Sequence, residues 1–110
     1  MEKILKIKDY EIPVKSHAGI LLSYKLNFKR EALSDIAKLQ NINLKTLEGF
    51  DTEVFYRLLW VLAKTANNDI PPLEIWLEQF DVEPVDFIFE CFDDVIELIA
   101  SNFQANVKKK

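Results

Sequence analysis

The sequence predicts a mainly α-helical α+β fold, in which short N-terminal antiparallel strands precede about four helices in one domain. Apolar and polar residues alternate over the first 15 positions, and beyond them apolar residues recur mostly every three or four positions. A length of 110 residues corresponds to one domain. We divide the chain into an N-terminal β region (1–28), a helical region of the same domain (29–107) and a basic tail (108–110).

The N-terminal segment KILKIKDYEIPVK has the two-residue period of an extended chain. It predicts two short strands with a turn at Asp9 and Tyr10. Pro13 suits an edge position, because its nitrogen cannot donate a hydrogen bond to a neighbouring strand. The segment ILLSYKLNF is predicted to form a further strand. Its alternate residues would share one face: Leu22, Tyr24, Leu26 and Phe28.

Helical spacing begins with FKREALSDIAKLQ, for which Asn27 is a candidate N-cap. The predicted apolar stripe of this helix consists of Leu33, Ile36, Ala37 and Gln40. The segment NINLKTLEGF is predicted to be a connector that Gly49 ends.

The next helix, TEVFYRLLWVLAKTAN, is capped by Asp51 or Thr52 and is apolar enough to be central. Glu53 and Arg57 are four residues apart and are predicted to pair. The main apolar stripe consists of Phe55, Leu58, Leu59, Leu62 and Ala66.

Prolines separate the last two helices, since proline fits the first turn of a helix and not its interior. Pro71 and Pro72 precede a short helix that carries Leu73, Trp76, Leu77 and Phe80. Pro84 opens the longest helix, which extends to about Gln104. Its apolar stripe consists of Val85, Ile88, Phe89, Phe92, Val95, Ile96, Ile99 and Phe103. Its acidic stripe consists of Asp86, Glu90, Asp93, Asp94 and Glu97.

Charge is divided unevenly along the chain. Residues 1–64 carry eleven basic and eight acidic groups, whereas residues 65–107 carry ten acidic groups and no lysine or arginine. The acidic part repels phosphate backbones, so we expect no nucleic-acid partner. The longest apolar run is too short to span a bilayer, and the N-terminus lacks a signal-peptide core. We therefore expect a cytoplasmic protein with no membrane partner.

Residue types that carry catalysis or bind metals are scarce. His17 and Cys91 are the only histidine and cysteine, and neither has a ligand or a catalytic partner at a typical spacing. His17 is predicted to be a solvated loop residue and Cys91 an inert core thiol. The carboxylates of the last helix favour a solvated face over an acid–base pair. The sequence predicts neither enzymatic activity nor a cofactor.

Trp60 and Trp76 have two interpretations, because buried tryptophans pack cores and exposed ones act as protein–protein hot spots. Core packing is the default. The last helix also has a broader apolar face than one neighbour covers, so the excess could bind a partner or a second copy of the chain.

Three segments resemble tail assembly chaperones of long-tailed phages, particularly those of Gram-positive hosts. YKLNFKREALSDIAKLQNINL is similar to their strand and first helix, and EVFYRLLWVLAKTANNDIPPLEIWLEQFD to their second and third helices. VDFIFECFDDVIELIASNF resembles their long acidic closing helix. The resemblance covers about residues 22–104 and consists of helix patterning and element order, without a signature motif.

This resemblance implies a non-enzymatic helper that binds the tape measure protein and recruits tail tube subunits, in the host cytoplasm and not in the mature virion. The hypothesis for the residues that border the client site names Trp76, Phe80, Phe87, Glu90, Asp94 and Glu97. The runner-up is an acidic phage-encoded inhibitor or nucleic-acid mimic that binds a host protein, which the acidic segment favours.

The basic tail, Lys108–Lys110, follows the acidic helix directly. Three cations beyond a helix C-terminus complement its dipole. The resemblance adds a second explanation, because many of these chaperones have a longer form that ribosomal frameshifting produces near the end of the short frame. Consecutive lysine codons can form the run of adenines on which ribosomes slip.

Overall fold

The structure is a computed structural model that describes residues 1–39 and 50–107, with side chains described as far as residue 99. The predicted connector and its Gly49, Gln40, the side chain of Phe103 and the basic tail lie outside the described residues. The described part contains two strands and five helices. These are β1 (Glu2–Ile7), β2 (Tyr10–Lys15), α1 (Ile20–Phe28), α2 (Ala32–Lys38), α3 (Thr52–Ala66), α4 (Leu73–Glu78) and α5 (Pro84–Val107).

The predicted N-terminal hairpin is confirmed. β1 pairs antiparallel with β2, with Ile7 opposite Tyr10, so Lys8 and Asp9 form the turn. Lys8 has a φ of 55°, which is the left-handed region that a tight turn requires. The inward face of the hairpin is apolar and buried against the helices. It consists of Leu5, Ile7, Ile12 and Val14.

The predicted third strand is wrong, because Ile20–Phe28 is the helix α1. Ile20 and Tyr24 are buried and Phe28 is half-buried, which is the four-residue spacing of a helix face. Leu22 and Leu26, which would have pointed inward in a strand, are 60% and 65% exposed. The segment contains three leucines and one lysine, which favour helix, and only its first residue is β-branched.

The first predicted helix begins later in the chain than predicted and buries a different face. Asn27 lies inside α1, where its amide donates to the carbonyl of Ser23. α2 begins only at Ala32, after Lys29 ends α1 with a φ of 59°. Leu33, predicted at the centre of the apolar stripe, is 56% exposed, and Ala37 is exposed. The buried residues of α2 and its C-cap are Ala32, Asp35, Ile36 and Leu39.

The helix α3 is central, as its apolar composition predicts. Asp51 is its N-cap, and the Asp51 carboxylate accepts a hydrogen bond from the Val54 N–H at 3.2 Å. Nine of its residues are buried, and it contacts β2, α1, α2 and α4. Ala66, the last residue of the predicted stripe, is exposed.

The two proline breaks and the last two helices are confirmed. Pro72 is the N-cap of α4, and Pro84 is the first residue of α5. α5 packs on α3 through aromatic rings, as between Phe55 and Phe92 at a centroid distance of 6.0 Å. The Cα radius of gyration is 13.5 Å, close to the roughly 13 Å expected of one domain of this length. The predicted α+β, mainly helical class is therefore confirmed.

Candidate functional site

The three aromatic residues proposed to border a client site are in contact in the fold. The Phe80 ring lies edge-on to Trp76, with centroids 5.0 Å apart, and is tilted against Phe87 at 5.5 Å. Tyr10 of β2 packs edge-on to Phe80 at 5.2 Å, and Tyr56 of α3 to Phe87 at 6.1 Å. We call Tyr10, Tyr56, Trp76, Phe80 and Phe87 the aromatic cluster.

Burial separates the members of this cluster. Trp76 and Phe87 are each 4% exposed, so in this structure they pack the core. Phe80 is half-buried and is the accessible member of the proposed trio. Trp60 is also buried, and its indole N–H donates to the carbonyl of Pro71 at 2.9 Å. Both tryptophans therefore follow the core interpretation.

A lysine of the hairpin pairs with two of the five carboxylates in the acidic stripe of α5. The Lys3 ammonium donates to Asp94 at 2.8 Å and also to Glu97. These two carboxylates raise the pKa of Lys3, Asp94 more than Glu97. Lys3 is on the core-facing side of β1, near the start of the strand. Its ammonium therefore reaches α5 at the margin of the hydrophobic core. Asp86, Glu90 and Asp93 stay exposed, and they carry the free negative charge of the stripe.

Two apolar residues lie beside those free carboxylates. Val85 is 48% and Phe89 45% exposed, although the sequence pattern includes both in the buried stripe. They are four residues apart and fall at the edge of that stripe, next to the acidic positions. We call Val85, Asp86, Phe89, Glu90 and Asp93 the α5 surface. A helical-wheel projection already puts Val85 and Phe89 at the stripe margin, which is the signal that could have identified them.

A polar network centred on the buried Asp35, which the sequence did not predict, joins α1, α2 and α3. Arg30 donates two hydrogen bonds to the Asp35 carboxylate, at 2.7 and 2.8 Å. The Tyr24 hydroxyl also donates to Asp35, at 2.6 Å, and accepts from Arg57 Nε at 2.9 Å. Glu53, the predicted partner of Arg57, lies 3.3 Å from its guanidinium. We call Tyr24, Arg30, Asp35 and Arg57 the polar network.

The network shifts the pKa values of Asp35 and Tyr24. Hydrogen bonds from Arg30, ahead of the one from Tyr24, hold the pKa of Asp35 well below its usual range despite its burial. Burial and the adjacent Asp35 carboxylate raise the pKa of Tyr24 to about 12. Asp35 is therefore a permanent anion and Tyr24 a permanent donor at neutral pH. Their partners are all within the fold, so we assign the network a structural role.

The remaining reactive residue types are placed as the sequence predicts. His17 is exposed, and its Nδ1 accepts from the Gly19 N–H at 2.9 Å. Cys91 is fully buried, and desolvation raises the pKa of its thiol to about 12. Within residues 1–39 and 50–107, no group of three or more His, Cys, Asp or Glu residues is placed to hold a metal ion. In the same part of the chain, no helix has the length and apolar character needed to cross a membrane.

Comparison with known proteins gives no relative. No protein-family model matches the chain, and neither a curated protein nor a solved structure matches it.

Proposed function

We propose that this protein is a non-enzymatic tail assembly chaperone of a long-tailed phage or prophage. It binds the tape measure protein and helps recruit tail tube subunits, acts in the host cytoplasm and is left out of the mature virion. The proposal starts from the resemblance of residues 22–104 in element order and helix patterning. The α+β fold with a central apolar helix and a long acidic closing helix is compatible with that resemblance.

The observation that carries the proposal is the composition of the α5 surface. Val85 and Phe89 offer exposed apolar area, and Asp86, Glu90 and Asp93 border it with negative charge. An amphipathic client helix with lysine or arginine beside its apolar stripe would match both features. Apolar contact would supply affinity, while the carboxylates would favour one orientation and speed the encounter.

The six residues named from the sequence take different parts in this proposal. Glu90 belongs to the α5 surface directly. Ring contacts among Trp76, Phe80 and Phe87 hold α4 against the start of α5. These contacts therefore stabilise the helix that carries the α5 surface. Asp94 and Glu97 are paired with Lys3 and fix the hairpin to α5.

The runner-up, an acidic inhibitor that mimics nucleic acid, has weaker support. A mimic needs many free carboxylates at phosphate-like spacing over a broad surface. Two of the five stripe carboxylates are paired with Lys3, and the other three adjoin exposed Val85 and Phe89. A mixed acidic and apolar surface fits a protein client better than it fits a DNA site.

The test is co-purification of the chain with overlapping fragments of a tape measure protein, followed by a measured Kd for the fragment that binds. Glu90→Lys with Asp93→Lys is expected to weaken binding roughly tenfold at low salt, because two favourable charges become repulsive. The matched control is Glu74→Lys with Glu78→Lys, the same change on exposed positions of α4, and it should bind normally. Phe89→Gln removes the apolar contact and should also weaken binding.

Two results would contradict the proposal. One is unchanged affinity in both the charge-reversed and the Phe89→Gln variants while the proteins remain folded. The other is failure of every tape measure fragment to bind at low salt, where electrostatic attraction is strongest. An equal loss of affinity in the Glu74 and Glu78 control would indicate that the client does not contact the α5 surface.

A further inference from the structure

A groove of about 400 Å³ lies between the hairpin, the end of α3, the loop at 67–71 and α4. It is on a different part of the molecule from the α5 surface and uses other side chains. The aromatic residues Tyr10, Trp76 and Phe80 line it, together with the acidic residues Glu11 and Asp69. Its volume is within the range of sites that hold one side chain or a small ligand.

The aromatic part of the groove is available to a ligand. Tyr10 and Phe80 are half-buried, and their edge-on contact at 5.2 Å keeps the two rings at a steep angle. Trp76 packs edge-on to Phe80 and contributes the floor. Rings set at an angle around a cavity attract a cation, because the faces of aromatic rings carry partial negative charge.

The charged residues that line the groove are all negative. Glu11 and Asp69 are exposed carboxylates at its rim. The other polar side chains that line it among the described residues, Asn67 and Gln79 besides Tyr10, are neutral, and none is a lysine, arginine or histidine. The two acidic residues would therefore attract a positive side chain, whereas they would repel a carboxylate or phosphate.

Hydrogen bonds fix the walls of the groove before any ligand arrives. The Asp81 N–H donates to the Tyr10 hydroxyl at 2.9 Å, which ties the hairpin to the end of α4. The Trp60 indole N–H holds the carbonyl of Pro71 at 2.9 Å. The Asp69 N–H donates to the Asn67 side chain at 3.1 Å. A preformed site loses little free energy to reorganisation on binding.

We propose that this groove binds a cationic side chain, a lysine or an arginine, presented by a partner polypeptide. The ammonium or guanidinium group lies against Tyr10 and Phe80, with Glu11 and Asp69 as counter-ions. The inference stands apart from the proposed function, because it follows from the groove alone and holds for any partner with such a side chain. A client on the α5 surface and a cation in the groove can succeed or fail separately.

The test is an NMR titration of the full chain with two pentapeptides, each with four glycines around one central residue. The central residue is lysine in one peptide and norleucine, its uncharged counterpart of similar length, in the other. The indole N–H of Trp76 reports on the groove, and the backbone N–H of Gly19, a residue that does not line the groove, serves as an internal reference. The lysine peptide should give a saturable shift at Trp76, and the norleucine peptide should bind at least about fivefold more weakly.

Variants separate the two halves of the site. Glu11→Gln with Asp69→Asn removes the counter-ions and should weaken lysine-peptide binding about fivefold. Phe80→Leu keeps an apolar wall but loses a ring, and should weaken it about threefold. The matched control, Glu2→Gln with Glu74→Gln, makes the same change in net charge at exposed residues outside the groove and should bind as the native chain does.

The outcomes are decisive in either direction. Equal binding of the two peptides would identify an apolar groove and overturn the proposal. So would an equal loss in the Glu2 and Glu74 control, since that would indicate attraction by net charge without a site. Absence of a saturable shift at Trp76 in the folded native chain would also overturn it.

Discussion

The two ends of the helical region are held together by opposite kinds of chemistry. Where α1, α2 and α3 meet, the polar network places an anion, two guanidinium groups and a hydroxyl in direct hydrogen bonds. Where α4 and α5 meet the hairpin and α3, the aromatic cluster makes ring contacts at 5.0 to 6.1 Å.

The two arrangements differ in how strongly a single substitution destabilises them. A buried ionic network depends on every member, because removal of one leaves an uncompensated charge in a medium of low polarity. No buried side-chain polar atom of the described residues lacks a hydrogen-bond partner, so the network is complete. Ring packing is less directional, and an apolar residue of similar volume can replace a ring at moderate cost.

The comparison also separates fixed geometry from adaptable surface. The polar network fixes the angles between α1, α2 and α3 and faces inward. Within the aromatic cluster, Trp76 and Phe80 line the groove, and Phe87 is on the buried side of α5. We expect substitutions in the network to unfold the protein and substitutions in the cluster to retune its surfaces.

The largest expected effect comes from removing the anion of the polar network. Asp35→Ala should lower the free energy of unfolding by about 3–5 kcal/mol, because the buried Tyr24 hydroxyl loses its acceptor and buried Arg57 loses the counter-ion at 3.6 Å. Chemical denaturation followed by tryptophan fluorescence measures it. Asp93→Ala, on an exposed position of α5, is the control and should change stability by less than about 0.5 kcal/mol. A loss below about 1 kcal/mol for Asp35→Ala, the range of surface ion pairs, would remove the contrast.

A smaller effect is expected in the aromatic cluster. Phe87→Leu should lower the free energy of unfolding by about 1–2 kcal/mol, because the cavity is small and the apolar character is kept. The control is Phe89→Leu, the same substitution two residues along α5 at a position that is 45% exposed against 4% for Phe87. It should be within about 0.5 kcal/mol of the native chain. Equal losses in the two variants would show that burial in the cluster does not set the cost.

The smallest effect is the pH dependence that the network imposes. Asp35 has a lowered pKa in the fold, so the unfolded chain takes up its proton first as the pH falls below about 4. The stability that Asp35 contributes is therefore complete above about pH 5 and declines below it, by about 1 kcal/mol at pH 3. Denaturation at pH values on both sides of 4 measures the slope.

Asp35→Asn is the comparison for that slope and should lack this part of it. An NMR titration of the Asp35 side-chain carbon gives an independent reading in the native chain. The carboxylate should stay ionised at about pH 3. Protonation of folded Asp35 near its ordinary pKa of about 4 would contradict the prediction.

The elements predicted correctly are those whose pattern is long and fits only one kind of secondary structure. The hairpin alternates over two strands, α3 is apolar on nearly all sides, and α5 repeats its stripe over about five turns with proline at its start. The error at α1 has a physical cause. In ILLSYKLNF the apolar residues satisfy a period of two through Leu22 and Leu26, and a period near four through Ile20, Tyr24 and Phe28. Local pattern does not choose between them.

The candidate site divides in the same way. Helix periodicity grouped Trp76 with Phe80 on the short helix and predicted that α5 carries an acidic face, because it groups residues on one element. It did not predict that Lys3 would engage Asp94 and Glu97, since those residues are more than 90 positions apart.

The sequence by itself determined the fold class, the two proline breaks and the separation of charge along the chain, because each follows from neighbouring residues. Tertiary structure decided which face of α1 is inside, which carboxylates are free, and that Tyr10, Trp76 and Phe80 enclose a groove with Glu11 and Asp69. Those outcomes depend on contacts between distant segments, where burial and pairing act on whichever side chains the packed helices bring together.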